Sequence, residues 1–126
     1  MSGIRPNKDQ FIELMNAPDE GPVVMLNLLK FKPRDGASEY GKYGDAAVKM
    51  VEARGGKVLW MGKVDQTLIG DLDAEDWDSI ALVQYPSRKA FIEMTTSKDY
   101  DAAHEHRESG LERTVLLACT PRGGAI

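Results

Sequence analysis

WDSIALVQYPSRKAFIEMTTSKDYDAAHEHR, from Trp77 to Arg107, packs a strand, a turn and two helical runs into one stretch, and both histidines of the chain lie near its end. Ile80 to Tyr85 is rich in strand-favouring residues and stops at Pro86, which has no N–H to give to a ladder. Ser87 then offers a side-chain oxygen to cap a helix from Arg88 to about Thr95. Ser97 can cap a second helix, on which Tyr100, Ala103, His104, Arg107 and Leu111 recur at three- and four-residue spacing and share one face.

Working outward, Val23 to Phe31 (VVMLNLLKF) is almost continuously apolar, as expected of a central strand covered on both faces. Its polar interior residue, Asn27, falls by alternation on the side of Val23, Met25, Leu29 and Phe31; a buried amide there is either satisfied internally or meets a ligand. Ahead of it, Asn7 with Gln10 three residues on marks a capped helix carrying Phe11, Leu14 and Met15. Pro33 and Asp35-Gly36 signal a turn, followed by a helix from about Ser38 to Arg54 with Tyr40, Tyr43, Ala47, Met50 and Val51 on one stripe and Gly55 as its left-handed end. Gly41 and Gly44 weaken its start and signal close packing or fraying. Lys57 to Leu68 reads as a second strand, Val58, Trp60, Gly62 and Val64 facing one way and Leu59 and Met61 the other. Gly70 to Asp78 is an acidic connection; it lacks the glycine and glutamate that a calcium loop needs at its sixth and twelfth positions. Arg113 to Thr120 supplies the last strand.

After an introductory helix the order is β-α-β-β-α-α-β, the split pattern of an α+β, ferredoxin-like antiparallel sheet with helices on one face. The expected division is a helical extension over 1–21, the sheet domain over 22–121 and a tail over 122–126. With helices on one side only, the positions Val23, Met25, Leu29 and Phe31 are expected to leave the second face apolar, and a second copy about a two-fold axis is the simplest cover.

Composition narrows the functional classes. The chain has 126 residues and a net charge of -4, with a pI near 5.2, which argues against a nucleic-acid partner. No apolar run approaches the roughly 20 residues of a spanning helix, and no signal peptide is recognised, so a soluble cytoplasmic protein without a membrane partner is expected. Cys119 is the single cysteine and lies in an apolar run expected to bury it. His104-Glu105-His106 is not a metal pair, because helical residues two apart point about 200° from each other. His104 shares the stripe of Tyr100 and Arg107, whereas His106 falls toward solvent. Nucleophile-elbow, phosphate-loop and dinucleotide motifs are missing, so no cofactor and no metal are expected.

PVVMLNLLKFK (Pro22 to Lys32), GGKVLWMG (Gly55 to Gly62), Ile69-Gly70, WDSIALVQYPSRKAF (Trp77 to Phe91) and the DY…HR of Asp99 to Arg107 resemble the domain-of-unknown-function 1330 family. The resemblance implies a dimeric α+β barrel, in which the sheets of two ferredoxin-like protomers close on each other. Its wider relatives include cofactor-free monooxygenases, muconolactone-type isomerases and haem enzymes, but no catalytic motif of theirs is matched here. The expected protein is a homodimer with a pocket between sheet and helices for a small apolar or aromatic acid. Phe31, Tyr43 and Trp60 are its expected walls and Asn27 and Gln84 its hydrogen-bonding groups; Arg107 either pairs with Glu108, Asp101 or another acidic neighbour or forms the charged end, and His104 is either a packed histidine bonded to a backbone carbonyl or the candidate catalytic base. It would act as a cofactor-independent enzyme of monooxygenase or isomerase type, or as a non-catalytic ligand-binding or stress-response module; haem ligation by His104 is a third reading.

Overall fold

The computed structural model describes residues 4–19 and 21–122; residues 1–3, 20 and 123–126, and with them nearly all of the expected tail, lie outside the described residues. Along the chain run α1 (Lys8–Asn16), β1 (Val23–Phe31), α2 (Gly36–Ala53), β2 (Lys57–Lys63), β3 (Ser79–Tyr85), α3 (Arg88–Thr95), α4 (Lys98–Gly110) and β4 (Leu111–Cys119). The strands form one sheet in the order β2-β3-β1-β4, antiparallel throughout. This is the α+β ferredoxin-like arrangement. Among the described residues no helix is long and apolar enough to cross a membrane.

Helix starts follow local chemistry. Asn7 accepts from the Gln10 backbone N–H at 2.8 Å while the Gln10 side chain accepts from the Asn7 N–H at 3.2 Å, a reciprocal cap. Ser87 accepts from Ala90 N–H and Ser97 from Tyr100 N–H. Gly55, with φ of +80°, ends α2 as expected. The turn before α2 is carried instead by Arg34, with φ of +70°; Gly36 is already helical. Gly36 is needed for closeness, because a Cβ there would stand 2.8 Å from the Gly110 carbonyl oxygen. Gly41 and Gly44 have nothing within 4 Å, which excludes close packing as their reason.

Side-chain parity along β1 differs from the expectation. Val23, Met25, Asn27 and Leu29 are the buried positions, on the helix-covered face with Ala81 and Tyr85. The face without helices is made by Val24, Leu26 and Leu28 with their partners Leu82, Ile80, Val115 and Leu117. It is also apolar, since β1 is apolar at both parities. Cys119, paired with Val24 on that open face, is only partly buried; the expected burial fails because no helix or strand among the described residues covers it.

A bulge in β2 changes a second expectation. Val58 pairs with Val83 and Trp60 with Leu82, so the register slips at Leu59, and Val58 and Trp60 face opposite ways. β2 also ends at Lys63, short of Leu68. Of the connection that follows, Asp76 and Asp78 pair with Lys30, Arg113 pairs with Asp76, and the Arg113 guanidinium stacks 4.2 Å from the centre of the Trp77 ring. Those ties hold the connection to the sheet and leave Leu68 and Ile69 84% and 92% exposed.

The two glycine contacts give opposite expectations. In Gly110→Ala the new Cβ would meet the Gly36 carbonyl oxygen at 2.6 Å and Tyr40 N at 2.7 Å; both are backbone atoms, so stability should fall by about 2 kcal/mol. Gly41→Ala should raise it by up to about 1 kcal/mol. Urea unfolding of both variants measures the difference.

Candidate functional site

Helix α4 puts Tyr100, Ala103, His104, Arg107 and Gly110 on its buried side, and α2 brings Tyr40, Ala47 and Val51 against the sheet. Between them and the sheet lies a cavity of about 320 Å³, at the small end of ligand pockets. Asn27, Tyr43, His104 and Arg107 line it.

Its polar groups are of three kinds. Asn27 Nδ2 donates to the carbonyls of Met25 and Ala81, both at 3.3 Å, which engages the amide nitrogen and leaves Oδ1 as the acceptor available to a guest. The tyrosines form a ladder: Tyr43 and Tyr100 share a hydrogen bond of 2.9 Å between hydroxyls, and the Tyr40 ring packs 5.3 Å from that of Tyr43. Burial pushes the Tyr40 hydroxyl pKa up and that of Tyr43 well up, so both remain protonated donors at neutral pH.

The third kind is cationic or potentially so. Arg107 is 5% exposed, yet among the described residues no carboxylate stands within ion-pair distance of it. One Nη donates to the Ile4 carbonyl at 2.9 Å, and the guanidinium lies 5.8 Å from the centre of the Tyr43 ring. Its place in the last turn of α4 also sets it near the negative end of that helix. A buried charge supported only by neutral groups attracts an anion strongly. Glu108, a sequence neighbour suited to pairing with Arg107, is turned to Arg5 at 2.9 Å.

His104 is 6% exposed, and among the described residues neither ring nitrogen has a hydrogen-bond partner. The Glu108 carboxylate is 3.6 Å from Nε2, beyond hydrogen-bonding reach. Burial, followed by the charges of Arg5 and Arg107, lowers its pKa from the ordinary 6.5. The imidazole is therefore neutral at pH 7. His106 belongs elsewhere: its Nδ1 lies 3.2 Å from Glu39 on α2. Among the described residues no three His, Cys, Asp or Glu side chains gather as metal ligands would.

Three expected site residues lie outside this cavity. Trp60 sits on the open face, 53% exposed and with its indole across Gly62, because of the β2 bulge. Gln84 pairs with Val24 and so takes the open-face parity. Phe31 is on the helix side but packs its ring 5.6 Å from Tyr40, behind the cavity wall. In their place the cavity takes Tyr40, Tyr100 and Met61, and the segment Ile4 to Lys8. Tyr100 could have been inferred from the stripe it shares with His104 and Arg107. The N-terminal segment carries no sequence signal of its role.

Fold and cavity together define an α+β ferredoxin-like protein with a chamber between its sheet and helices. The sequence pattern named "domain of unknown function (DUF1330)" matches residues 29–120, and this chain belongs to that family. A protein of unknown function from Rhodopseudomonas palustris is 37% identical, with a TM-score of 0.88 over 97% of this chain and 98% of that one. The fold alone is shared with a dabb family protein with a ferredoxin-like fold from Mesorhizobium loti, at 15% identity and a TM-score of 0.60, covering 82% and 100% of the two chains. It is shared also with a dimeric ferredoxin-like protein of unknown function from Thermobifida fusca, at 14% and 0.58, covering 80% and 92%. No curated protein matches the sequence.

The lowered His104 pKa has a stability consequence whose sign is definite. Between the folded-state value and 6.5 the unfolded chain binds more protons than the native one, so stability rises with pH across that window and is fully present above it. Glu39 and Glu108, whose ion pairs hold them below the ordinary 4.5, contribute in a lower window and lose their share as pH falls through it. Thermal midpoints measured across the histidine window should climb with pH in the native protein and flatten in His104→Gln.

Proposed function

We propose that this protein binds a small organic acid in the α2–α4 chamber, its carboxylate at Arg107 and its apolar body against the tyrosine ladder. The observation that carries this reading is the buried guanidinium without a carboxylate partner among the described residues. An incoming carboxylate would complete the ion pair, with Tyr40 and Tyr43 as added donors and Asn27 Oδ1 as an acceptor for a second polar group. Neutral His104, its nitrogens unengaged, would stand as general base toward an acidic C–H or O–H of the bound molecule. That step would make the protein a cofactor-independent enzyme of the isomerase or monooxygenase type. Without it the same chamber would serve a non-catalytic binding module.

The working unit in this reading is a homodimer. Leu26, Leu28, Leu82, Val115 and Leu117 make an apolar sheet face that no helix among the described residues covers, with Leu117 still 48% exposed. A second copy packed sheet to sheet would bury it and give the exposed Leu68 and Ile69 a surface to meet. The Thermobifida fusca protein of like fold is itself dimeric, which favours a dimer here.

Calorimetry with benzoate and with benzamide, its neutral counterpart, tests the acid site. Benzoate should bind the more tightly, and Arg107→Gln should cost it at least about tenfold while leaving benzamide unchanged; equal binding of the two by the native protein would refute the site. Native mass spectrometry should give twice the chain mass, and Leu117→Lys should shift the population to monomer. A native protein that is monomeric at micromolar concentration would overturn the dimer.

A further inference from the structure

Helix α1 bridges a space that it does not fill. Beneath it, between α1, α3 and β4, lies a second cavity of about 540 Å³. Ile4, Arg5, Pro6, Phe11, Met25, Phe91 and Leu116 line both this cavity and the α2–α4 chamber and form the wall between them. No residue of α1 is fully buried; Phe11 and Leu14 are half-buried toward the cavity, whereas Ile12 and Met15 point out, 38% and 50% exposed. The helix is tied at its two ends instead. Before it, Arg5 pairs with Glu108 and Arg107 holds the Ile4 carbonyl. After it, Asp19 accepts from the N–H groups of Arg88 and Lys89 at the start of α3 at 2.8 and 3.1 Å, and Arg88 donates to the Pro18 carbonyl.

We propose that the groove under α1 is a tail site continuous with the chamber, and that the ligand is an elongated amphipathic monocarboxylic acid whose head meets Arg107 and whose alkyl chain runs beneath α1 along β4. The inference rests on the anion site at Arg107 proposed above. Three observations assign this occupant. Phe11, Leu14, Phe91 and Leu116 give the groove an apolar wall that suits an alkyl chain, while Arg5, Glu13 and Arg88 also line it. Its inner end opens beside Ile4, the residue whose carbonyl Arg107 holds, which puts the charged head and the apolar groove in sequence along one path. The cover is a helix tied at its flanks, with no fully buried residue and with Leu14 only partly buried against the core, so a chain can slide beneath it without displacing a fully buried side chain of α1. Compact aromatic acids, on this view, fill the head chamber alone.

Calorimetric titration of the full chain with hexanoate, octanoate and decanoate, beside benzoate, tests the assignment. Affinity should rise by roughly fourfold per added methylene, the increment of burying a CH₂ group. Ala118→Phe, which narrows the groove from β4, and Leu14→Trp, which narrows it from α1, should each flatten the series while hexanoate binds as before; either suffices if the other does not fold. Short acids that bind with no gain along the series would overturn the tail site and leave the anion site standing. An equally steep rise in both variants would overturn it too, because the chain would then lie elsewhere. If neither benzoate nor any alkyl acid binds, the anion site and the tail site fall together.

Discussion

Strand β1 is hydrogen-bonded along both edges, to β3 and to β4, and that double pairing constrains everything else. A strand held on both sides cannot rotate, so its alternate side chains must go to opposite faces of the sheet. Because all helices lie on one of those faces, the parity of each β1 residue decides whether it meets the chamber or the uncovered side. Asn27 takes the helix side and becomes a chamber group; Leu26 and Leu28, one step away, become part of an apolar surface. A single-residue slip would exchange the two sets and destroy both.

On the covered side the depth of the chamber is set by how closely α2 and α4 approach. Gly36 and Gly110 let their backbones come nearly into contact at one end, where a methyl group would already clash. Further along, Tyr40, Tyr43, Tyr100 and His104 hold the helices apart with large rings and leave a polar lining between them. Desolvation of that lining costs free energy: a guanidinium and an imidazole have left water with few partners in exchange. Side chains in such positions are suited to a guest that supplies what the protein withholds. The same desolvation keeps His104 neutral, so the cation and the base coexist one helical turn apart without both being charged.

The terminal segment changes the character of this site. From Ile4 to Lys8 the chain closes the chamber beside Arg107, and α1 then passes over the groove that leads out of it. Apart from the buried bond of Arg107 to the Ile4 carbonyl, its attachments are a surface ion pair and exposed hydrogen bonds, each worth about 1 kcal/mol or less. The cover is thus the least firmly packed helix of the molecule and lies directly over the path to its interior.

Much of this was legible in the amino-acid order. The proline after β3, the serine caps of α3 and α4, the capping box of α1 and the glycine ending α2 are local stereochemical signals, and each acts where its sequence context predicts. The stripe of Tyr100, His104 and Arg107 was likewise determined by helical spacing alone. What the sequence could not determine was direction across the sheet. VVMLNLLKF is apolar at both parities, so nothing within it distinguishes the helix-covered face from the open one. The bulge at Leu59 moved Trp60 out of the site without any glycine or proline to mark it. Gln84 followed the parity of its partner Val24, and the segment before α1 acquired its place only by folding back on Glu108 and Arg107. Periodicity belongs to a single element and is written in its residues. Register, bulges and covers arise between elements, and they take form only when the sheet is paired and the helices choose a side.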